Sequence, residues 1–162
     1  MNESASQLAE LAGQVRGETL RLLAAAPEPW LLWAPEGTSN HMLWHAGHAL
    51  WVQDVLFIEI VTGKSELPSG WAETFGMDCR PVKLTNQMQA WPKRSETEGL
   101  LGQQLTRIVQ LLQTLPPDQL AADARPIDGG RNLLSCTVHA WHDEAKHQGE
   151  MYLLLKMKRA MR

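Results

Sequence analysis

The chain has 162 residues, enough for one ordinary domain that buries roughly two-thirds of its unfolded surface and too few for a second full domain. Hydrophobic residues make up 44% and charged residues 20%, the balance of a soluble globular protein and not of a disordered or collagen-like one. Lys and Arg total 15 against 18 Asp and Glu, a net charge of −3, so no basic field exists to gather a phosphate backbone or an anionic lipid surface, and neither nucleic acid nor a membrane is an expected partner.

The apolar runs are far shorter than the roughly 20 residues of a membrane span. Asn2, Glu3 and Ser4 do not form the basic, then apolar, opening of a secretory signal, so a cytoplasmic protein is expected. Cys79 and Cys136 lack CxxC spacing and read as ordinary reduced residues.

From Glu3 to Ala26, Leu8, Leu11, Val15, Leu22 and Leu23 recur at helical spacing with Glu10, Arg16, Glu18 and Arg21 between them, which predicts a first amphipathic helix. Pro27 and Pro29 end it. Thr38, Ser39 and Asn40 are candidate N-caps for a second helix from His41 to Thr62, apolar on most of its circumference and closed by Gly63. Between Gly63 and Leu84 the texture turns to Gly, Pro and Ser, which predicts a long connection holding short helical turns at most. Leu101, Leu105, Ile108, Leu112 and Leu115 mark a third helix over Ser95–Leu115, stopped by Pro116 and Pro117. After Pro126 and Gly129-Gly130, Asn132 caps a last helix from about Leu133 to Lys158, with Lys156, Lys158 and Arg159 suiting its C-terminal dipole. Four such segments without alternating strands or internal repeats predict an all-α, single-domain four-helix bundle over 1–162, with a long connection between the second and third helices.

Most of the six histidines and several of the seven tryptophans fall in two segments. On the second helix, Trp44, His48, Trp51, Val55 and Ile58 share one stripe at spacings of four and three. On the last helix, Asp143 and His147 are one turn apart, the spacing at which two side chains hold one ion from a single face. Imidazole and carboxylate are ligands for Zn, Mn, Fe or Ni, and His48 can supply a third from the facing helix, leaving positions open. Ala140, Glu150, Met151 and Leu154 share the Asp143 side, a mixture that suits an inward face better than a solvated one. His45, His139, His142 and Glu144 border these stripes and can join or displace a member. They read as outer partners of the triad or as surface residues, since including one demands a helix rotation.

Together the segments resemble the DinB-like metal-binding bundle superfamily, whose members carry one histidine on the second helix and an H-x-x-x-H type pair on the last, often followed by Gly and Gln or Glu. Asp143-Glu144-Ala145-Lys146-His147-Gln148-Gly149-Glu150 is similar to the second element and Trp44-His45-Ala46-Gly47-His48-Ala49-Leu50-Trp51 to the first. The latter is especially similar to the W-H-x-G-H-x-x-W run in the bundle domain of iron-dependent ergothioneine-type sulfoxide synthases. The resemblance spans nearly the whole chain in helix order and implies His48, Asp143 and His147 as ligands of a divalent transition metal, Zn, Ni, Mn or Fe. Asp143 stands where the family usually has histidine. An acidic residue there also resembles the mycothiol-dependent isomerases, and it implies a shift toward harder ions. The large C-terminal catalytic domain of the synthases has no counterpart in this sequence, so their reaction is not carried over.

The resemblance implies a small-molecule substrate and either hydrolysis or transfer and isomerisation with a low-molecular-weight thiol as cosubstrate, thiol transfer ranking first. Trp44 and Trp51, with Trp141, would wall an organic substrate. Glu144 and Glu150 are the nearest candidate bases, and neither cysteine has a paired base that would make it a nucleophile. The competing class is a non-catalytic, metal-stabilised stress-response bundle that acts through a partner or through dimerisation. Exposed tryptophan and methionine on the first two helices suggest a homodimer.

Overall fold

A computed structural model describes residues 3–37, 40–77, 90–116, 118–121 and 131–161. The described residues form an all-α bundle of four long helical rods. Helix α1 (Glu3–Ala25) packs on α5 (Arg94–Thr114) and α6 (Leu133–Ala160). Helix α2 (Met42–Gln53) runs through a π-helical turn at Asp54–Ile58 into α3 (Glu59–Thr62), and α2 packs on α6 and α5. Among the described residues no helix is long and apolar enough to cross a membrane.

The punctuation in the sequence acts as expected at most boundaries. Gly63 closes α3 at φ 80°, a conformation that costs glycine nothing. The Asn132 side chain accepts the Ser135 N–H at 2.8 Å and starts α6, which runs two residues past Lys158. The start of α2 differs. Its N-cap is His41, whose Nδ1 accepts the Trp44 N–H at 3.1 Å, and not Asn40; Thr38 and Ser39 lie outside the described residues. Burial pushes the His41 imidazole down to about 4, so it stays neutral and keeps the lone pair that caps the helix. The π turn also breaks the expected stripe. One wider turn rotates the residues beyond it, so Phe57 joins Ile58 in the core while Val55 is only half-buried.

Among the described residues, the connection after Gly63 holds one short helix, α4 (Trp71–Phe75); residues 78–84 lie outside them. Helix α4 is pinned to α2 at Gly47. The Trp71 indole donates to the Gly47 carbonyl at 2.9 Å, and a Cβ on Gly47 would overlap the Phe75 ring, so only glycine admits this approach.

The core has two apolar halves. One gathers Leu22, Leu23, Trp44, Leu50, Phe75, Leu101, Met151 and Leu154; the other gathers Ala5, Leu8, Phe57, Ile108, Leu112 and Trp141. Between them in sequence, on each long helix, lies a buried polar residue: Arg16 and Thr19 on α1, Gln53 on α2, Gln104 on α5 and Glu144 on α6. Arg16 donates to Glu144 Oε2 at 3.1 Å and to Gln104 Oε1 at 3.0 Å. Thr19 donates to Glu144 Oε1 at 2.7 Å and Gln53 to Oε2 at 3.1 Å. This layer turns the inner face of α1 by one residue, so that Arg16 is buried while Val15 is half-buried and Leu11 reaches solvent. A buried ion pair is best tolerated where hydrogen bonds satisfy its remaining atoms; here both Glu144 oxygens are satisfied, while Arg16 Nε and Gln53 Oε1 have no hydrogen-bond partner.

Candidate metal centre

Helix α6 carries Asp143, His147 and Glu150 at i, i+4 and i+7, one stripe that faces α2. Helix α2 answers with His45 and His48 at i and i+3. Asp143 Oδ2 sits 3.4 Å from His48 Nε2 and 3.4 Å from His147 Nε2, and one donor atom from each of the three residues lies within 4.8 Å of the others. His48 and His147 are buried, and Asp143 is partly so. The His48 ring stacks on Trp44 at 4.8 Å and 18° and lies 5.3 Å from Trp51. Trp44 is itself fixed by its indole N–H, which donates to the Thr74 carbonyl at 3.1 Å.

The donor set fits a divalent transition metal. Bonds of 2.0–2.1 Å in tetrahedral geometry separate neighbouring donor atoms by about 3.3–3.4 Å, the spacing found around Asp143 Oδ2. That oxygen is buried and accepts no hydrogen bond, a costly state for a carboxylate unless a cation completes it. Only N–H groups of His147 and His48 turned to that oxygen would hold the Asp143 carboxyl well below the usual carboxylate range against the pull of burial; with lone pairs there instead, a cation has to supply the positive partner. His48 Nδ1 lies 2.6 Å from the Phe75 carbonyl, to which it donates, so Nε2 is the nitrogen left with a lone pair toward Asp143. Two imidazoles and one carboxylate suit Zn, Ni, Mn or Fe alike.

The three residues that sequence spacing singles out, His48, Asp143 and His147, therefore converge. Of the bordering residues, His45 is buried within the cluster: its Nδ1 is 2.8 Å from His147 Nδ1, and its Nε2 is 3.3 Å from Glu150 Oε2. His45, His147 and Glu150 thus form a second group with donor atoms close enough to hold a cation. The i, i+4, i+7 repeat of Asp143, His147 and Glu150 was the available signal for it. His139 and His142 stay with each other on the outer side of α6, with ring centroids 6.5 Å apart.

Three expectations are corrected. Glu144 is no base for this site, because its position one residue after Asp143 turns it about 100° around the helix and into the Arg16 ion pair. Trp141 packs with Ile108 and Leu112 in the other half of the core and cannot wall the cluster with Trp44 and Trp51. The exposed tryptophan and methionine expected on the first two helices are not found among the described residues of α2, where Trp44 and Met42 are buried and Trp51 is half-buried; exposed apolar side chains on α6 include Tyr152, Leu153 and Met157. Cys136 is buried in α6; Cys79 lies outside the described residues.

The model of the DinB superfamily matches residues 12–151, most of the chain and both halves of the cluster. Among solved structures, a conserved protein from Enterococcus faecalis shares the fold, with a TM-score of 0.64 over 95% of each chain at 17% identity. None of the curated proteins compared matches. The helix order, the bundle and the family match agree: the chain belongs to the DinB superfamily.

Proposed function

We propose that this chain is a divalent-metal-dependent enzyme in which His48, Asp143 and His147 hold the ion, and that its reaction is transfer or isomerisation with a low-molecular-weight thiol as cosubstrate. The observation that carries the reading is the pair of 3.4 Å separations around an Asp143 oxygen buried without a donor. A bound ion would supply a Lewis-acidic position that lowers the pKa of a thiol or of water. His48 and His147 keep ring nitrogens toward that position, and Asp143 offsets part of its charge. Trp51, partly exposed beside His48, offers an aromatic wall for the organic part of a substrate.

Thiol chemistry asks less of the chain than hydrolysis does. A thiol with a pKa of about 8.5 loses its proton near neutrality with modest help, whereas water benefits from a general base; of the two candidates, Glu144 is committed to Arg16 and Glu150 sits beside His45 on the far side of His147. The test is elemental analysis of the wild type and of His147→Ala, followed by assay of thiol conjugation and isomerisation with and without chelator. About one equivalent of metal in the wild type, lost in the variant, with turnover abolished by chelation, is the expected result. No metal after incubation with Zn, Ni, Mn and Fe(II) would remove the metal reading. Bound metal with chelator-sensitive stability and no turnover would leave a metal-stabilised bundle in its place.

A further inference from the structure

We propose that Glu150 and His45 are positioning residues that fix the tautomer of His147 and so aim its Nε2 lone pair at the metal position. The inference rests on the metal site proposed above and concerns the residues behind it. Two imidazole nitrogens can stand 2.8 Å apart, as His45 Nδ1 and His147 Nδ1 do, only if one of them carries a hydrogen. The carboxylate at the end of the relay decides which one. Ionised Glu150 can only accept, and its Oε2 lies 3.3 Å from His45 Nε2, a proximity that favours the hydrogen of neutral His45 on Nε2 over Nδ1. His45 Nδ1 is then a bare acceptor, His147 donates its Nδ1–H to it, and the lone pair of His147 is left on Nε2, 3.4 Å from Asp143 Oδ2.

The two imidazoles that would hold the metal, His48 and His147, thus reach the same tautomer through different anchors. His48 is set by a backbone carbonyl, that of Phe75. His147 is set instead by a side-chain relay that ends at the surface. Glu150 is 57% exposed, so its contribution to folding is small and its effect on His147 can be read separately.

The experiment is zinc affinity by chelator competition in the full chain, with the metal-free urea midpoint measured beside it. Glu150→Leu is expected to weaken zinc binding about tenfold and His45→Phe toward about a hundredfold, the range seen when an outer hydrogen-bond partner of a ligating histidine is lost. Glu150→Leu should leave the metal-free urea midpoint unchanged. His45→Gln, whose amide oxygen can still accept from His147 Nδ1–H, is expected to recover most of the loss in His45→Phe. In the zinc-loaded wild type, nitrogen-15 NMR should find the proton of His147 on Nδ1. Wild-type affinity in both Glu150→Leu and His45→Phe would overturn the relay while leaving the metal site standing. A loss in Glu150→Leu as large as that in Asp143→Ala would also overturn it, by making Glu150 a ligand in its own right. A wild type that binds no zinc would remove the metal site and the relay together.

Discussion

Asp143 and Glu144 are neighbours on one helix, and they live in opposite electrostatic worlds. Both oxygens of Glu144 accept hydrogen bonds, from Arg16, Thr19 and Gln53, and its ion-pair partner is as fully buried as it is. Asp143, about a hundred degrees around the helix, faces two ring nitrogens and keeps a buried oxygen that accepts nothing. In the first arrangement the carboxylate itself is closed: it has found its donors, although Arg16 Nε and Gln53 Oε1 beside it have none, and what it stabilises is the register of four helices. The second is open, and an open polar cluster is the signature of a place where something from outside completes the set. What sets the second region apart is neither burial of charge nor an unpartnered atom alone, but an unpartnered carboxylate oxygen among ring nitrogens at ligand spacing.

The comparison is sharpened first by breaking the closed side. Glu144→Ala leaves the Arg16 guanidinium buried, already held below its ordinary value by desolvation, with no anion to offset it. The expected loss is about 3–5 kcal/mol in urea unfolding, and a loss below about 1 kcal/mol would mean that the layer is not a stabilising element. Asp143→Ala should do the reverse. Metal affinity is expected to fall by at least about a hundredfold, while the metal-free protein loses no more than about 1 kcal/mol, since the partly exposed carboxylate meets only two ring nitrogens at 3.4 Å. Metal-free destabilisation comparable to that of Glu144→Ala would erase the distinction between the two regions.

The smallest effect comes from a third buried group on the same rod as His48. His41 has a folded pKa of about 4 against 6.5 unfolded, so the unfolded chain binds its proton more readily and the cap's stability is complete only above the unfolded value. Between about pH 7 and about pH 5.5 the wild type should lose on the order of 1 kcal/mol through this group. His41→Ser, which caps without a titrating nitrogen, is expected to lack that portion of the pH dependence. Parallel pH profiles for the two proteins would show that the cap does not titrate as a buried neutral imidazole.

The rods were legible in the sequence because their ends are written locally. Pro27, Gly63, Pro116 and Asn132 act on the residues beside them, and the observed helices end within about two residues of where these signals place them. His48, Asp143 and His147 were legible because helical spacing is also local. What the sequence hid depends on partners far along the chain. Arg16 looked like a solvated residue between apolar neighbours, and its reason for being inside, Glu144, lies 128 positions away. His45 could not be told from a surface residue without Glu150 and His147 from the opposite helix. The π turn shifts a stripe that a fixed 3.6-residue period carries straight on.

The pinning of α4 on Gly47 also couples the N-cap of α2 to its middle. Phe75, which holds His48 through its carbonyl, also meets Trp91 at 5.9 Å, and Trp91 meets His41 at 4.5 Å. The chain therefore leaves the histidine cluster and returns to its neighbourhood at two aromatic residues that touch each other. A substitution at Phe75 is thus felt at His48, through the carbonyl that receives its Nδ1–H, and at His41, through Trp91.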